Sequence, residues 1–342
     1  MKAVIQDKYG SPGDVLHLRD IDMPVVRDDE VLIRVRAASI HPDVWHVVTG
    51  RPYVLRLMGA GLRRPKVPVP GTDLAGCVES VGRKVARFKP GDEVFGESHR
   101  GMTWQNGGAF AEYAAVPGGA LALKPANVTF SQAASVPTSG IIALINLRVG
   151  ELLKPGQRVL VNGAGGNVGS IAVQLAKAHG AHVVGVDIGD KLEMIRALGA
   201  DELIDYTRED FTRRGQRYDL IFDVASTLEL EDCKRVLNPA GVYVRIGHEH
   251  FGAAGGPVFG SLAGFFKLVA RSAFDRALPK LSGPKPGKRS CMETLRAHLA
   301  SGKLTPVVAR TYPLTGVADA IGFMATGQAL GRITIAPQES LQ

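Results

Sequence analysis

The chain has 342 residues, of which 45% are hydrophobic and 22% are charged, an ordinary composition for a globular protein with room for about two domains. No apolar run is long enough to cross a bilayer, and the first residues lack the hydrophobic segment of a secretion signal. We therefore predict a cytoplasmic protein with no membrane span. Its three cysteines, Cys77, Cys233 and Cys291, are far apart, which argues against a disulfide framework and against a thiolate zinc site.

The formal net charge of +8 is compatible with binding to nucleic acid, to an anionic membrane surface or to an anionic dinucleotide. Most of the basic residues are scattered. The densest group has no interleaved aromatic residues and lies among Pro and Gly, at Lys280, Lys285, Lys288 and Arg289. We interpret it as a solvated loop and do not expect a nucleic-acid surface.

The first 125 residues are predicted to form short strands. Short or alternating apolar runs lie between Gly and Pro residues, at 30–36, 91–96, 108–113 and 121–125. Closely spaced strands with turn residues between them are typical of an antiparallel barrel or sandwich.

The pattern changes after Pro125. Residues 131–147 are apolar and helix-like, and from Arg158 onward strand and helix patterns alternate. The predicted strands are 159–161, 182–186, 202–206, 218–223 and 242–246, and the predicted helices are 168–176, 192–198 and 230–237. This alternation indicates βαβ units and a parallel sheet. Residues 258–281 are again helix-like, and residues 306–335 predict a strand, a helix and a strand.

A glycine-rich loop lies between the strand 159–161 and the helix that follows it, with the sequence Gly163-Ala164-Gly165-Gly166-Asn167-Val168-Gly169. Glycines in this context permit a tight turn, a close approach of the backbone to a pyrophosphate, and close packing of helix on strand. The phosphate would then bind the N–H groups at the helix N-terminus. The loop predicts a dinucleotide site.

An acidic residue, Asp187, ends the next strand. A carboxylate there would accept hydrogen bonds from the adenosine ribose hydroxyls and would repel a 2′-phosphate. Lys191 is the nearest residue that could offset this repulsion. We therefore expect NAD(P)H as cofactor, with NADH favoured over NADPH.

Together with this loop, several motifs resemble the medium-chain dehydrogenase/reductase superfamily, in its zinc-independent quinone oxidoreductase-like branch. The motifs are residues 70–76 (Pro-Gly-Thr-Asp-Leu-Ala-Gly), 88–96 (Phe-Lys-Pro-Gly-Asp-Glu-Val-Phe-Gly), 108–113 (Gly-Ala-Phe-Ala-Glu-Tyr), 172–177, 198–201 and 204–206. The resemblance covers nearly the whole chain.

The resemblance implies an α/β fold with a GroES-like β-barrel catalytic domain in two pieces, residues 1–125 and 302–342. A Rossmann domain with a doubly wound parallel sheet would lie between them, at residues 126–301. It also implies hydride transfer to a quinone, an α,β-unsaturated carbonyl (enone) or an aldehyde, on a small apolar substrate. Dimers are common among such proteins, so a homodimer is expected.

The zinc ligands of zinc-dependent relatives are not matched. Where those relatives carry Cys, a His-Glu pair and a third ligand, this chain has His41, Thr72-Asp73 and Thr138. A catalytic zinc needs three converging protein ligands, and we expect no metal. His248 and His250 have no third partner in the sequence, and we interpret them as loop residues near the cleft.

The resemblance places the segment after residue 40 beside the nicotinamide. His41 is the first candidate for the group that polarises the carbonyl or donates a proton, because imidazole titrates near neutral pH; a structural role for this histidine stays open. Many relatives have Asn at position 41 and Asp at position 44, where this chain has Val44, and Asp43 is a candidate replacement. Trp45 and Tyr53 are expected to wall the pocket, with the Tyr53 hydroxyl as an alternative donor.

Further cofactor contacts are expected at the ends of later strands, at Ala225, Ser226, Ile246 and Gly247. Tyr206 resembles the family residue beside the adenosine. Relatives often have Thr where this chain has Ile142, and Thr138 is a candidate substitute.

The apolar segment 258–281 has two interpretations. It lines or covers a substrate pocket through Phe265 and Phe266, or it is buried in the core or in a dimer interface.

Two other functions stay open at this stage. One is metal-free oxidoreduction of alcohols and aldehydes, which would lack the Lewis acid that zinc supplies. The other is a non-catalytic dinucleotide-binding sensor or RNA-binding protein, which the departures at His41 and Val44 and the charge of +8 keep possible.

Overall fold

The computed structural model describes residues 1–99, 105–247, 257–260, 262–280 and 285–337, without the side chain of Ala263. His248 and His250 lie outside the described residues. The strands are β1 Lys2–Gln6, β2 Leu16–Asp20, β3 Glu30–Ser39, β4 Asp73–Val81, β5 Glu93–Glu97, β6 Tyr113–Pro117, β7 Leu121–Leu123, β8 Arg158–Asn162, β9 His182–Asp187, β10 Glu202–Asp205, β11 Tyr218–Asp223, β12 Leu237–Arg245, β13 Val308–Pro313 and β14 Arg332–Ala336.

The helices are α1 Pro12–Val15, α2 Pro42–Thr49, α3 Phe130–Ala134, α4 Pro137–Leu147, α5 Asn167–Ala178, α6 Leu192–Ala197, α7 Leu230–Arg235, α8 Leu262–Arg271, α9 Lys288–Ala300 and α10 Val317–Ala325. Single helical turns lie at Arg56–Ala60, Gly118–Ala120, Gly189–Lys191, Phe211–Arg213 and Leu314–Gly316.

The two ends of the chain share one sheet. Its strands follow the order β13-β14-β3-β4-β5-β7, with β6 also paired to β3, and all pairs are antiparallel except β13 with β14. Along β3, Val31, Ile33 and Val35 are buried in the core, whereas Arg36 is exposed. This alternation is what fixes the face that β3 turns to the core.

The middle of the chain forms a five-stranded parallel sheet in the order β10-β9-β8-β11-β12. The chain leaves β8 toward β9 on one side and later returns to β11 on the other side. The order therefore reverses between β8 and β11, and ligands of open parallel sheets bind at the carboxyl ends of the strands at this position.

Four predicted elements differ from the structure. Residues 131–147 form two helices, α3 and α4, because Pro137 has no backbone N–H with which to continue the hydrogen bonds of α3, although Val136 before it keeps helical backbone angles (φ −98°, ψ −38°). Residues 108–112 form a loop, since Gly108 has φ +87° and the strand begins at Tyr113. β12 begins at Leu237, inside the predicted helix 230–237, and its register with β11 shifts after Tyr218. The helix within 258–281 is limited to α8.

The prediction of a solvated loop at Lys288 and Arg289 is wrong, because these two residues begin α9. Gly287 is the N-cap, and four buried residues at helical spacing anchor the helix, namely Cys291, Met292, Leu295 and Leu299. This spacing is the signal that could have revealed α9 in the sequence.

We propose that the domain boundaries lie where the sequence predicts them, after residues 125 and 301. The two sheets support this division, because every strand of the antiparallel sheet lies outside 126–301 and every strand of the parallel sheet lies inside it.

Candidate active site

The glycine loop lies at the reversal point of the parallel sheet. Gly163 follows β8 with φ +79°, and the N–H groups of Gly163 and Ala164 donate to the carbonyl of Val186 at 2.9 and 3.0 Å. Gly166 is the N-cap of α5 and provides no side-chain cap. The N–H groups of the first turn of α5 are therefore left for an external anion.

The glycines of the loop are not equivalent. A Cβ atom on Gly169 would lie 2.1 Å from the carbonyl oxygen of Gly163, so Gly169 is required for helix α5 to pack on the loop. A Cβ atom on Gly166 would meet only that same oxygen, at 3.3 Å. The packing of the protein therefore does not require glycine at position 166, and the absence of a side chain there leaves open space at the N-terminus of α5.

Asp187 and Lys191 enclose the other side of the loop. The Asp187 carboxylate accepts hydrogen bonds from the N–H groups of Gly165 (2.8 Å) and Ile188 (2.9 Å). The Lys191 ammonium lies 3.7 Å from Asp187 and donates to the carbonyl of Gly327 at 2.9 Å, between α10 and β14. Lys191 therefore connects the surroundings of the glycine loop to the segment between α10 and β14, which belongs to the half of the chain with the antiparallel sheet.

The predicted contacts after β11 and β12 lie beside the loop. A Cβ atom on Gly163 would lie 3.1 Å from the backbone nitrogen of Ala225, and one on Gly247 would lie 1.9 Å from the carbonyl of Val224. Ile246 donates its N–H to the carbonyl of Asp223 at 2.8 Å. The structure thus brings these strand ends together at one edge. Tyr206 follows β10 and is 58% exposed.

A buried carboxylate fixes this edge. Asp223 accepts hydrogen bonds from the Tyr243 hydroxyl (2.7 Å), the Ser226 N–H (2.7 Å) and the Asn162 amide (2.8 Å). Burial raises the pKa of Asp223, and these three donors oppose the rise. Ser226 is held with φ +54° by this contact, so its position is set by Asp223.

His41 is the N-cap of α2 and is almost completely buried. Its Nδ1 accepts the N–H of Asp43 at 3.2 Å and lies 3.4 Å from the Asp43 carboxylate. In the neutral ring this assigns the proton to Nε2. Nε2 has no hydrogen-bond partner among the described residues. Among the described residues, the Nε2 of His41 is therefore a buried donor without an acceptor.

A second buried network near His41 joins the antiparallel sheet to helix α4. Arg332 donates to the Asp73 carboxylate at 2.7 Å and to the hydroxyls of Ser39 and Ser139, each at 3.1 Å. Thr138, at the start of α4, donates both its N–H and its hydroxyl to Asp73. The Thr138 hydroxyl is thus engaged by Asp73, and its predicted contact with the cofactor stays a prediction. Burial raises the pKa of Asp73, and Arg332 opposes the rise.

Sequence reasoning missed three polar residues beside this network. Glu97 lies opposite Asp73 in the β4–β5 register and is 2% exposed. The Lys288 ammonium, from the first residue of α9, lies 2.8 Å from Glu97 and donates to the carbonyl of His99 at 3.1 Å. Burial lowers the pKa of His99. No local motif marks these residues, because α9 meets β5 only in the folded chain.

The predicted pocket residues lie in different environments. Trp45 is partly buried and packs on the core of the antiparallel sheet. Tyr53 is 40% exposed, and the Arg56 guanidinium lies 4.7 Å from its ring centre. Phe265 and Phe266 are about half exposed and contact each other edge-to-face at 6.0 Å, so neither lies in a closed pocket in this structure.

A cavity of about 370 Å³ lies elsewhere, lined by Leu144, Arg148, His179, Lys280 and Cys291 among others. His179 follows the last residue of α5, so the cavity is at the far end of this helix, about 18 Å from the glycine loop. Its lining includes neither residues of the glycine loop nor His41.

The donor set at the positions of the zinc ligands does not fit a catalytic zinc. Asp73 is bound to Arg332 and Thr138, and His41 has only Asp43 at its Nδ1. Among the described residues, no group of three or more His, Cys, Asp or Glu side chains is arranged to hold a metal ion.

An open parallel sheet with a glycine loop at its reversal point, together with an antiparallel sheet that buried polar contacts connect to helices α4 and α9, is the arrangement of a two-domain nucleotide-dependent dehydrogenase or reductase. Family models agree: one for the alcohol dehydrogenase GroES-like domain matches residues 27–126, and one for a zinc-binding dehydrogenase matches residues 198–335. The chain belongs to the medium-chain dehydrogenase/reductase superfamily, in its quinone oxidoreductase-like branch.

The relatives include the chloroplastic NADPH-dependent alkenal/one oxidoreductase of Arabidopsis thaliana, which is 34% identical over 98% of this chain and 80% of the relative. Human quinone oxidoreductase is 28% identical over 94% of this chain and 92% of that protein. Among solved structures, the quinone oxidoreductase from Coxiella burnetii superposes with a TM-score of 0.79 at 27% identity, covering 99% of both chains. These matches confirm the predicted family and fold class.

Within the described residues, no helix has both the length and the apolar character that a membrane crossing requires. Relatives include a chloroplastic and a mitochondrial protein, so the predicted cytoplasmic location stays a prediction.

Proposed function

We propose that this protein is a zinc-independent, NAD(P)H-dependent reductase that transfers hydride to a quinone or an α,β-unsaturated carbonyl. The observation that carries the proposal is the uncapped N-terminus of α5 behind Gly166, at the point where the parallel sheet reverses. The relatives include an alkenal/one oxidoreductase and quinone oxidoreductases, and their substrates support this acceptor class.

The loop residues 163–168 would hold the pyrophosphate, and Asp187, Lys191 and Tyr206 would surround the adenosine end. The bound nicotinamide supplies the hydride, whereas the protein supplies orientation and electrostatics. The buried Nε2 of His41 would donate a hydrogen bond to the acceptor's carbonyl oxygen, with Asp43 holding the ring at Nδ1. Trp45 and Tyr53 would wall the pocket, and Tyr53 is the alternative proton donor.

The decisive experiment titrates the purified protein with NADH and NADPH, then follows oxidation of the reduced cofactor with quinones, enones and aldehydes. Turnover of a quinone or an enone supports the proposal. Turnover of aldehydes alone would favour metal-free alcohol/aldehyde chemistry. Cofactor binding without turnover would favour a sensor, and failure to bind either cofactor would contradict the proposal.

Replacement of Asp187 tests the proposed preference for NADH. In Asp187→Ser the carboxylate that would repel a 2′-phosphate is removed, while Lys191 remains within reach to pair with that phosphate. We expect the ratio of kcat/KM for NADPH to that for NADH to rise about tenfold or more, equivalent to about 1.4 kcal/mol. An unchanged ratio would show that Asp187 does not set the preference. Asp190→Ser, on the turn after β9, is the control.

Replacement of His41 tests the proposed carbonyl-polarising role. His41→Phe keeps a ring but removes the Nε2 donor, so we expect kcat to fall about 100-fold with little change in the Kd for the reduced cofactor. His41→Gln retains a side-chain donor and should recover part of the rate. If both variants keep the wild-type kcat, the histidine is structural. Circular dichroism and thermal melting provide the folding control.

Removal of divalent metal tests the zinc-independent mechanism. Prolonged dialysis against a chelator is expected to leave kcat unchanged, because the ligand set that a catalytic zinc needs is incomplete among the described residues. Elemental analysis before and after dialysis checks the metal content. A loss of activity that added zinc restores would overturn this part of the proposal. The predicted homodimer is a separate proposal that sedimentation velocity can test.

A further inference from the structure

Exposed apolar side chains lie on the segment that follows α2, the helix that His41 begins, and on the segment bonded to it that leads into α8. We call this group the apolar patch, and it consists of Leu57, Met58, Val258, Phe259, Phe265 and Phe266. Leu57 is 74% exposed and Phe259 is 58% exposed. Side chains of this size and number are rarely left in water together unless they contact another surface.

Two separate chain segments build the patch. The N–H of Tyr53 donates to the carbonyl of Pro257, and the N–H of Val54 donates to that of Val258, each at 2.9 Å. These bonds fix the turn Arg56–Ala60 beside the residues that lead into α8. Since α2 is about 12 Å long and the first segment of the patch follows its C-terminal end, this segment is separated from His41 by about the length of α2.

Helix α8 is amphipathic and lies on the surface. Leu262 is buried, and Leu268 packs partly on the core beneath the parallel sheet. Phe265 and Phe266 pair with each other, yet both remain about half exposed, and Lys267 beside them is exposed. Phenylalanines next to a cation on a surface helix are typical of helices that lie in a membrane interface.

The chain around the patch is strongly cationic. No acidic residue occurs between Asp43 and Asp73, whereas this stretch contains Arg51, Arg56, Arg63, Arg64 and Lys66. Arg63, Arg64 and Lys66 are exposed, and within the part of the chain that the structure describes none of the five makes an ion pair. Arg56 donates to the Gly50 carbonyl and lies over the rings of Tyr9 and Tyr53. The exposed charges of Arg63, Arg64 and Lys66 are therefore the ones accessible to an anionic partner.

We propose that the apolar patch and this cationic stretch bind the surface of an anionic membrane. The phenylalanines would enter the headgroup–acyl boundary, and the cations would contact the acidic headgroups. A second copy of the chain fits the patch less well, because a two-fold interface would bring the same uncompensated cations toward one another. The inference concerns binding alone and does not rest on the reaction proposed above.

The test is sedimentation of the full-length protein with phosphatidylcholine vesicles, with and without about 30% phosphatidylglycerol. We expect binding only to the anionic vesicles, with a loss of about tenfold or more when salt is raised from about 0.1 M to about 0.5 M. Phe265→Ser combined with Phe266→Ser should weaken binding about tenfold, as should Arg63→Gln combined with Arg64→Gln.

Val25→Ser is the matched control. Val25 is 88% exposed but lies before β3, whose other end leads to His41 about 30 Å away, so its replacement should not change vesicle binding. Absence of binding to anionic vesicles would overturn the proposal. So would undiminished binding of the phenylalanine variant, or a wild-type dimer that this variant dissociates. Cofactor titration of each variant shows that the fold is intact, whatever the outcome for catalysis.

Discussion

A Gly166→Val variant is expected to fold normally and to lose about 100-fold or more in affinity for NADH. Gly166 has an extended backbone (φ −77°, ψ 172°) that valine can adopt, and its Cβ atom would meet only the Gly163 carbonyl oxygen at 3.3 Å. The isopropyl group would instead occupy the space over the N-terminus of α5, where a pyrophosphate must approach the backbone closely. Quenching of protein fluorescence by NADH measures the affinity.

Gly287→Val is the control for this variant. Gly287 is the N-cap of α9 with nearly the same backbone angles, and nothing lies within 4 Å of its Cβ position. It should retain NADH binding within about threefold, since α9 lies outside the proposed pyrophosphate site. Retained binding in Gly166→Val would show that the dinucleotide does not occupy this loop. Gly169→Ala should differ from both and unfold more easily, because its Cβ atom would clash with the Gly163 carbonyl.

An Arg332→Met variant is expected to lose about 3–5 kcal/mol of unfolding free energy. Arg332 is fully buried, and its removal leaves the Asp73 carboxylate in the interior without its cation. Burial then raises the pKa of Asp73 without the opposing charge of Arg332, so that this pKa lies further above that of the unfolded chain. The variant should therefore be least impaired below about pH 4 and should lose stability as the pH rises above that value. Urea unfolding at several pH values measures the loss.

Adding Asp73→Asn to Arg332→Met should restore part of the stability, because the double variant has no buried charge at this position. Arg310→Met is the control on the neighbouring strand β13. The Arg310 side chain is exposed and its guanidinium lies 4.7 Å from the centre of the Tyr312 ring, so the replacement should cost less than about 1 kcal/mol. A loss in Arg332→Met as small as that of the control would show that the network does not hold the antiparallel sheet against α4.

The network of Asp73 and Arg332 also explains how the antiparallel sheet is held against the nucleotide-binding half, residues 126–301. Arg332 on β14 and Asp73 on β4 contact Thr138 and Ser139 at the start of α4, in the nucleotide-binding half. Lys288 makes a second connection from that half to Glu97. The antiparallel sheet that carries Asp73 and Arg332 is therefore held against α4 and α9 by polar contacts, and the buried pair of Asp73 and Arg332 tolerates little displacement.

Much of the nucleotide-binding half was predictable from the sequence, because its signals are local. The strands β8 and β11 and the helix α5 follow from short apolar runs and helical spacing, and the glycine loop follows from residues adjacent in the chain. Local backbone chemistry also explains one error, since Pro137 provides no backbone N–H that would continue α3 into α4.

The position of charged side chains across the cleft could not be predicted in this way. Glu97 faces Asp73 only because β4 and β5 pair in one register, and Lys288 reaches Glu97 only because α9 packs beside β5. The same holds for Arg332, which is 259 residues from Asp73 in the chain. Such contacts depend on distances between elements, which periodicity does not encode.

The sequence by itself determined the parallel α/β half, its glycine loop and the acidic Asp187 after the next strand, because these features depend on residues close together in consecutive βαβ units. The tertiary structure decided three features: the Nε2 of His41 is buried without a hydrogen-bond partner among the described residues, Asp73 forms an ion pair with Arg332, and Phe265 and Phe266 remain exposed. Burial and charge pairing are sums over neighbours from distant parts of the chain, so only the folded protein fixes them.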